Sequence, residues 1–179
     1  RRRGLGRVRR SFTPRTCRPG MDVRVRPLRE DSEVARLVEE LWLPFAREMA
    51  DLDGYNELVD ERTAREHGLR YRHEGLADED TRIWVAEHEG WVGYVRASVS
   101  APPPVFDRGP TLQVGELYVI PGARGEGVAD ELLDRAADWG AERDCERVGL
   151  SVNAGNDRAR SFYERRGFES RRLKLDRPL

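Results

Sequence analysis

The chain of 179 residues is poor in cysteine, with only Cys17 and Cys145, and contains a single lysine, Lys174. Two cysteines, one of them inside an arginine-rich terminal segment, argue against a structural disulfide and for a cytoplasmic setting. No apolar run is long enough to span a bilayer. The first twenty residues also lack the apolar stretch of about 7–15 residues that marks a secretory leader. There are three histidines, His67, His73 and His88. No group of His, Cys, Asp or Glu has metal-ligand spacing, so no metal is expected. There is no internal repeat and no sign of a second domain.

Charge is plentiful, at 36% of residues, and the formal net charge of −1 conceals a division. Residues 1–20 carry eight arginines and no acid. Without them the basic count falls from 32 to 24 against 33 acids, a net of −9 for residues 21–179. The first twenty residues therefore read as a basic disordered arm or as sequence upstream of a start at Met21. A nucleic-acid-binding arm is the alternative, but only Phe12 interrupts the arginines with an aromatic ring, which argues against it. Residues 21–179 read as one domain.

Hydrophobic spacing gives the element order. Val23 and Val25 alternate with Arg24 and Arg26 as in a strand. Asp31 or Ser32 can cap a helix carrying Val34, Leu37, Val38, Leu41 and Trp42. Residues 51–80 are polar, with a second helix from Glu57 to His67 and a variable loop. Ile83–Ala86 and Trp91–Val95 form two strands joined through His88-Glu89-Gly90. Pro102-Pro103-Pro104 keeps residues 100–110 out of the sheet. Leu112–Val119 is the next strand and Gly127–Arg143 the next helix, with Val128, Leu132, Leu133, Ala136 and Trp139 on one stripe. A strand at Arg147–Val152, a helix at Asn156–Arg165 ended by Gly167, and a last strand at Phe168–Leu175 complete the pattern.

The richest stretch is Val119-Ile120-Pro121-Gly122-Ala123-Arg124-Gly125-Glu126-Gly127-Val128-Ala129. A strand feeds a glycine turn, and an amphipathic helix starts at once. Gly125 and Gly127 permit positive φ and close approach of a ligand to the backbone. The free N–H groups and the helix dipole then converge on one point suited to phosphate. No Gly-Lys-Ser/Thr follows, which excludes the common nucleotide-triphosphate loop. The turn comes too late in the chain for a dinucleotide fingerprint.

Arg124-Gly125-Glu126-Gly127-Val128-Ala129 resembles the Arg/Gln-x-x-Gly-x-Gly/Ala signature of the GNAT superfamily of N-acetyltransferases. Leu117-Tyr118-Val119-x-Pro121 is similar to that family's strand entry. Asn156-x-x-Ala159-x-x-Phe162-Tyr163-Glu164-x-x-Gly167-Phe168 resembles its second signature, about thirty residues downstream. Val25-Arg26-Pro27-Leu28-Arg29-Glu30-Asp31 is similar to a common opening. The resemblance covers roughly residues 22–175. It implies an α/β (α+β) fold with a mixed, mostly antiparallel central sheet of six to seven strands flanked by about four helices. It also implies acetyl-CoA as donor, with the backbone of Arg124, Gly125, Glu126, Gly127, Val128 and Ala129 around the pyrophosphate. Val119 would pair with the pantetheine arm, beside Asn156, which is equally a good helix cap. Glu126 departs from the family by putting a negative charge in the phosphate turn, and is expected to face solvent. Binding requires the strands at Val119 and at 148–152 to splay, with Gly115 as candidate bulge.

Acetyl transfer needs a neutral amine, whose pKa is near ~10.4 as an alkyl ammonium, so a base must take its proton. The departing thiolate benefits from an acid. Tyr163 matches the family's tyrosine beside the coenzyme sulfur and is the candidate acid, although an aromatic at helical spacing also suits a core. Glu116 is the candidate base, expected on one strand face with Val114, Tyr118 and Ile120 by simple alternation. An exposed glutamate at a strand start is the plainer reading. Trp84, Trp91 and Trp139 suit the core, and Trp42 either the core or the wall of an acceptor pocket. The three histidines suit the surface, with His73 able to reach the acceptor side. The resemblance implies a small-molecule or protein amine as acceptor, and a homodimer is common in the family. A catalytically inactive module that binds acyl-CoA is the rival.

Overall fold

The alternation that begins at Val23 ends in an edge strand, β1 (Arg24–Pro27), of the computed structural model, which describes residues 20–177. The basic segment and Cys17 lie outside the described residues. β2 (Thr81–His88) pairs antiparallel with β1, β3 (Gly90–Ser100) with β2, and β4 (Thr111–Val119) with β3. β5 (Arg147–Leu150) runs parallel to β4, giving one sheet in the order β1-β2-β3-β4-β5. The sheet is mixed and mostly antiparallel, as expected, but among the described residues it has five strands where six to seven were expected. Phe168–Leu175 does not form the last strand. Its apolar residues Leu173 and Leu175 are 86% and 87% exposed, so no covered face rewards the alternation.

Helices cover both sheet faces. α1 (Asp31–Leu37) passes through a π turn (Val38–Trp42) into α2 (Leu43–Leu52) without leaving helical backbone angles. The N-terminus of α1 is closed by a reciprocal Glu30/Glu33 box, with Glu30 as cap where Asp31 or Ser32 was expected. α3 (Glu61–Ala77) begins after Asp60, whose side chain accepts from the Thr63 N–H, and runs ten residues past His67, where the helix was expected to end. α4 is Val128–Glu142 and α5 is Asp157–Arg165.

On one face Leu132, Leu133, Ala136 and Trp139 of α4 pack on Trp84, Val95 and Leu112. On the other, Val34, Leu37, Val38 and Leu41 pack on Ile83, Val85, Tyr94 and Tyr118. Consecutive residues Ile83, Trp84, Val85 and Ala86 are thus all buried, alternately in the two cores, which explains an unbroken apolar run in an antiparallel strand.

The buried side of α3 is Ala64, Gly68, Arg72 and Gly75. At Gly68 a methyl group would overlap the six-membered ring of Trp42. The absence of a side chain there lets the indole lie flat against α3. Gly68→Ala is therefore expected to destabilise the fold by about 1–3 kcal/mol, the usual range for overpacking. Urea unfolding measures it; an unchanged midpoint would contradict the contact.

Candidate active site

The register of β4 slips once. Arg96 faces Glu116, but the next residue, Ala97, faces Val114, so Gly115 is the extra residue of a bulge. The slip reverses the alternation expected for this strand. Leu112 and Val114 point to the α4 core, and after Gly115 so do Leu117 and Val119. Glu116 and Tyr118 point to the α3 side, without Val114.

β4 and β5 also part here. Their pairing ends at Val114 and Leu150, where β5 stops, while β4 continues to Val119. The Ile120 N–H bonds the Val92 carbonyl of β3, so by alternation the backbone of Val119 faces the opposite, opened edge. A cleft of about 330 Å³ fills the divergence. Glu116, Val119, Arg124, Gly125, Gly127, Val128, Ala129, Asn156 and Tyr163 all border it. Glu126 does not; its side chain is exposed, as a negative charge there requires.

The glycine turn closes one end of this cleft. Gly125 and Gly127 adopt φ of 86° and 84°, and Gly127 caps α4. Among the described residues, the N–H groups of Gly125, Glu126, Gly127, Val128 and Ala129 donate to no protein acceptor. The Arg124 N–H is spent on the Pro121 carbonyl at 3.3 Å. Its side chain turns back instead, with Nε donating to the Val119 carbonyl at 2.9 Å. The Val119 carbonyl is thus engaged within the chain. Five consecutive donors gather at the positive end of a 15-residue helix, an arrangement whose charge suits an anion.

Across the cleft, Asn156 accepts from the Ala159 N–H at 3.0 Å and so caps α5. α5 carries Tyr163, whose ring packs against Phe162 and Phe168 and whose hydroxyl has no hydrogen bond among the described residues. Burial pushes the Tyr163 phenol up to about 12, so it holds its proton throughout the neutral and mildly alkaline range.

Glu116 is held by groups that spacing alone did not single out. A terminal nitrogen of Arg72 in α3 donates to both carboxylate oxygens at 2.8 Å, and the Tyr94 hydroxyl donates to Oε2 at 2.9 Å. Burial and the Glu116 charge raise the Tyr94 phenol well above its ordinary range. Oε1 retains room for a further donor. A second unforeseen carboxylate, Glu48 of α2, accepts from Arg124 at 2.6 and 2.8 Å, from Tyr118 at 3.3 Å and from Arg158 at 3.4 Å. The signal for Arg72 lay in the sequence, as an arginine within the small-residue stripe Ala64, Gly68, Gly75. His67, His73 and His88 are exposed, and His73 reaches only Asp31.

A family model described as the acetyltransferase (GNAT) family matches residues 36–168. An uncharacterised N-acetyltransferase of Mycobacterium bovis is 37% identical over 103 residues, which are 54% of this chain. The match spans 58% of that relative's length. A predicted acetyltransferase of Clostridium acetobutylicum, solved with acetyl-CoA, superposes with a TM-score of 0.69 at 22% identity, covering 87% of this chain and 96% of that one. The acetyltransferase AAC(6')-Iy, solved with a bisubstrate analogue, gives 0.67 at 19% identity, covering 88% and 99%. At these identities the two structures establish the shared fold.

The two kinds of glycine in the turn should respond oppositely to alanine. Gly127→Ala forces a side chain into left-handed backbone and is expected to cost about 1–2 kcal/mol, although nothing lies near the added methyl. Gly122, at ordinary φ in open space, should tolerate alanine or gain about 0.4–1 kcal/mol. Equal effects at both positions in thermal unfolding would refute the assignment.

Proposed function

Since this chain belongs to the acetyltransferase (GNAT) family, we propose that it moves an acetyl group from acetyl-CoA to a primary amine by direct transfer. One observation carries the reading: five unpaired backbone N–H groups at the start of α4 open onto the same cleft as the unpaired edge of β4. The first feature suits the diphosphate of the donor. The second suits its amide-bearing arm, which can add to β4 like another strand.

The chemistry follows from the groups around that cleft. The amine nitrogen attacks the thioester carbonyl carbon, and the carbon–sulfur bond breaks as the amide forms. Glu116 takes the amine proton, directly or through one water at Oε1. Tyr163 donates its proton to the departing thiolate. Its raised pKa keeps that proton available at working pH. A backbone N–H near Val119 serves the carbonyl oxygen as negative charge gathers there. Holding donor and amine in line supplies much of the acceleration, so no covalent enzyme intermediate is required. The neighbour AAC(6')-Iy, solved with an analogue that joins CoA to an acetylated neamine, supports an amine as the acceptor class.

Titration calorimetry with acetyl-CoA, run beside a thiol-release assay over a panel of amines, tests the proposal. Binding with release supports transfer; binding without release for any amine would favour an inactive acyl-CoA module. Tyr163→Phe is expected to lower kcat by roughly 10²–10⁴ while acetyl-CoA affinity stays the same. An unchanged kcat would remove Tyr163 from the reaction. In the wild type, kcat/KM should rise with pH as the amine and base lose protons. No alkaline fall caused by the acid should appear until the Tyr163 phenol ionises near 12. An earlier fall that vanished in Tyr163→Phe would contradict the raised value.

A further inference from the structure

Arg72 is 1% exposed, on a helix whose other buried positions are alanine and glycine. Desolvating a guanidinium is costly, and an apolar side chain of similar volume would often serve stability as well or better. Its geometry is nonetheless tightly specified. One terminal nitrogen donates to the Gly68 carbonyl at 3.2 Å and the other to both oxygens of Glu116. The guanidinium stacks 4.5 Å from the Trp42 ring centroid, and that ring is seated by the missing side chain at Gly68. Trp42 closes the π turn, so an irregularity of the first helix, a glycine of the third and the arginine act together on one carboxylate.

That carboxylate is itself 14% exposed and borders the cleft. The groups facing it are Arg72 from α3, and Tyr94 with the cross-strand Arg96 from β3. Tyr94 is wholly buried and keeps its proton, so it orients Glu116 without balancing its charge. The Arg96 side chain makes no hydrogen bond among the described residues and stacks on Tyr71. Among the described residues, Arg72 alone contacts Glu116 as a cation.

We infer that Arg72 is a positioning residue of the transferase. It holds the Glu116 carboxylate in place and aims its remaining Oε1 lone pair at the cleft, where the acceptor amine or a bridging water delivers a proton. This rests on the reading of Glu116 as base. Arginine suits the task because it never yields its own proton and because its planar head can stack on Trp42 while it donates. A lysine could supply charge but neither the stacking plane nor bonds to both Glu116 and Gly68 from one rigid head.

The test compares wild type, R72M, R72K and E116Q. R72M should fold and bind acetyl-CoA within about twofold of wild type, since Arg72 is not in the glycine turn. Its kcat should fall at least about tenfold, with KM for the amine changed less. The acid limb of kcat/KM should move to higher pH by about one unit or more, because a carboxylate robbed of its counter-ion prefers its proton. R72K should restore part of the rate and of the limb, and it carries the same test if R72M does not fold. In protein carrying ¹³C at the glutamate carboxyls, the Glu116 signal, assigned by its loss in E116Q, should titrate at higher pH in R72M than in wild type. An unmoved signal and an unmoved acid limb would overturn the role of Arg72. Unchanged kcat in E116Q would instead overturn Glu116 as base. If no amine in the panel were acetylated, the transferase reading would fail, and the carboxyl titration alone would decide whether Arg72 governs Glu116.

Discussion

The slip of one residue at Gly115 is the constraint on which the site depends. Without it, β4 would alternate regularly and Glu116 would share a face with Val114, in the core beneath α4. The bulge turns Glu116 toward α3 while leaving Leu117 and Val119 to rejoin the α4 core. It also marks where β4 leaves β5, since the pairing of the two ends at Val114. One inserted residue thus aims a carboxylate and opens a backbone edge. Bulges do this cheaply because the strain falls on a single backbone position. Gly115 suits that position, since a methyl there would meet the Arg96 guanidinium at 3.2 Å.

A carboxylate aimed into a half-buried cleft still needs a counter-ion, and the fold supplies one from the opposite side. α3 lies over this face of the sheet because its buried stripe is small enough to let Trp42 in. Close approach brings Arg72 within reach of β4. Nε of Arg72 is buried there without a partner among the described residues. Such an imperfection costs stability. It is consistent with a residue retained for what it does to Glu116 more than for what it adds to packing.

Where the sequence was legible, a local pattern and its structural cause coincided. The α4 stripe, the two positive-φ glycines, the Asn156 cap and the turn at Gly167, with φ of 81°, are set within a few residues of themselves. The glycine turn and Tyr163 were readable through the resemblance of their motifs, and Glu116 from its place on the strand before the turn; all three border one cleft. What escaped was set by distant partners. Leu173 and Leu175 alternate like strand residues, but alternation cannot reveal that no layer covers them. The face of Val114 was misread because a bulge is a property of two strands. Arg72 fell in the polar stretch read as a variable loop, beyond the helix expected to end at His67; only its neighbours at helical spacing, Gly68 and Gly75, hinted at a buried helix face. Glu48 gave no hint, since its partners Arg124 and Arg158 lie far along the chain.

The charge balance of the cleft resolves an apparent conflict in composition. Residues 21–179 carry a net of −9, an awkward background for a donor bearing phosphates. Long-range repulsion, however, is screened within about 8–10 Å at physiological salt. Binding is decided by what lies inside that radius. There the α4 N-terminus contributes about half a positive charge, focused through five N–H groups. Arg124, Arg158 and Arg165 border the same cleft, and Glu48 engages only the first two. The acids of the first α4 turn, Asp130 and Glu131, favour the same dipole from the side of the helix, and Asp130 is partly offset by Arg166. An acidic body, residues 21–179, can therefore present a locally cationic groove, and its net charge says little about what that groove can hold.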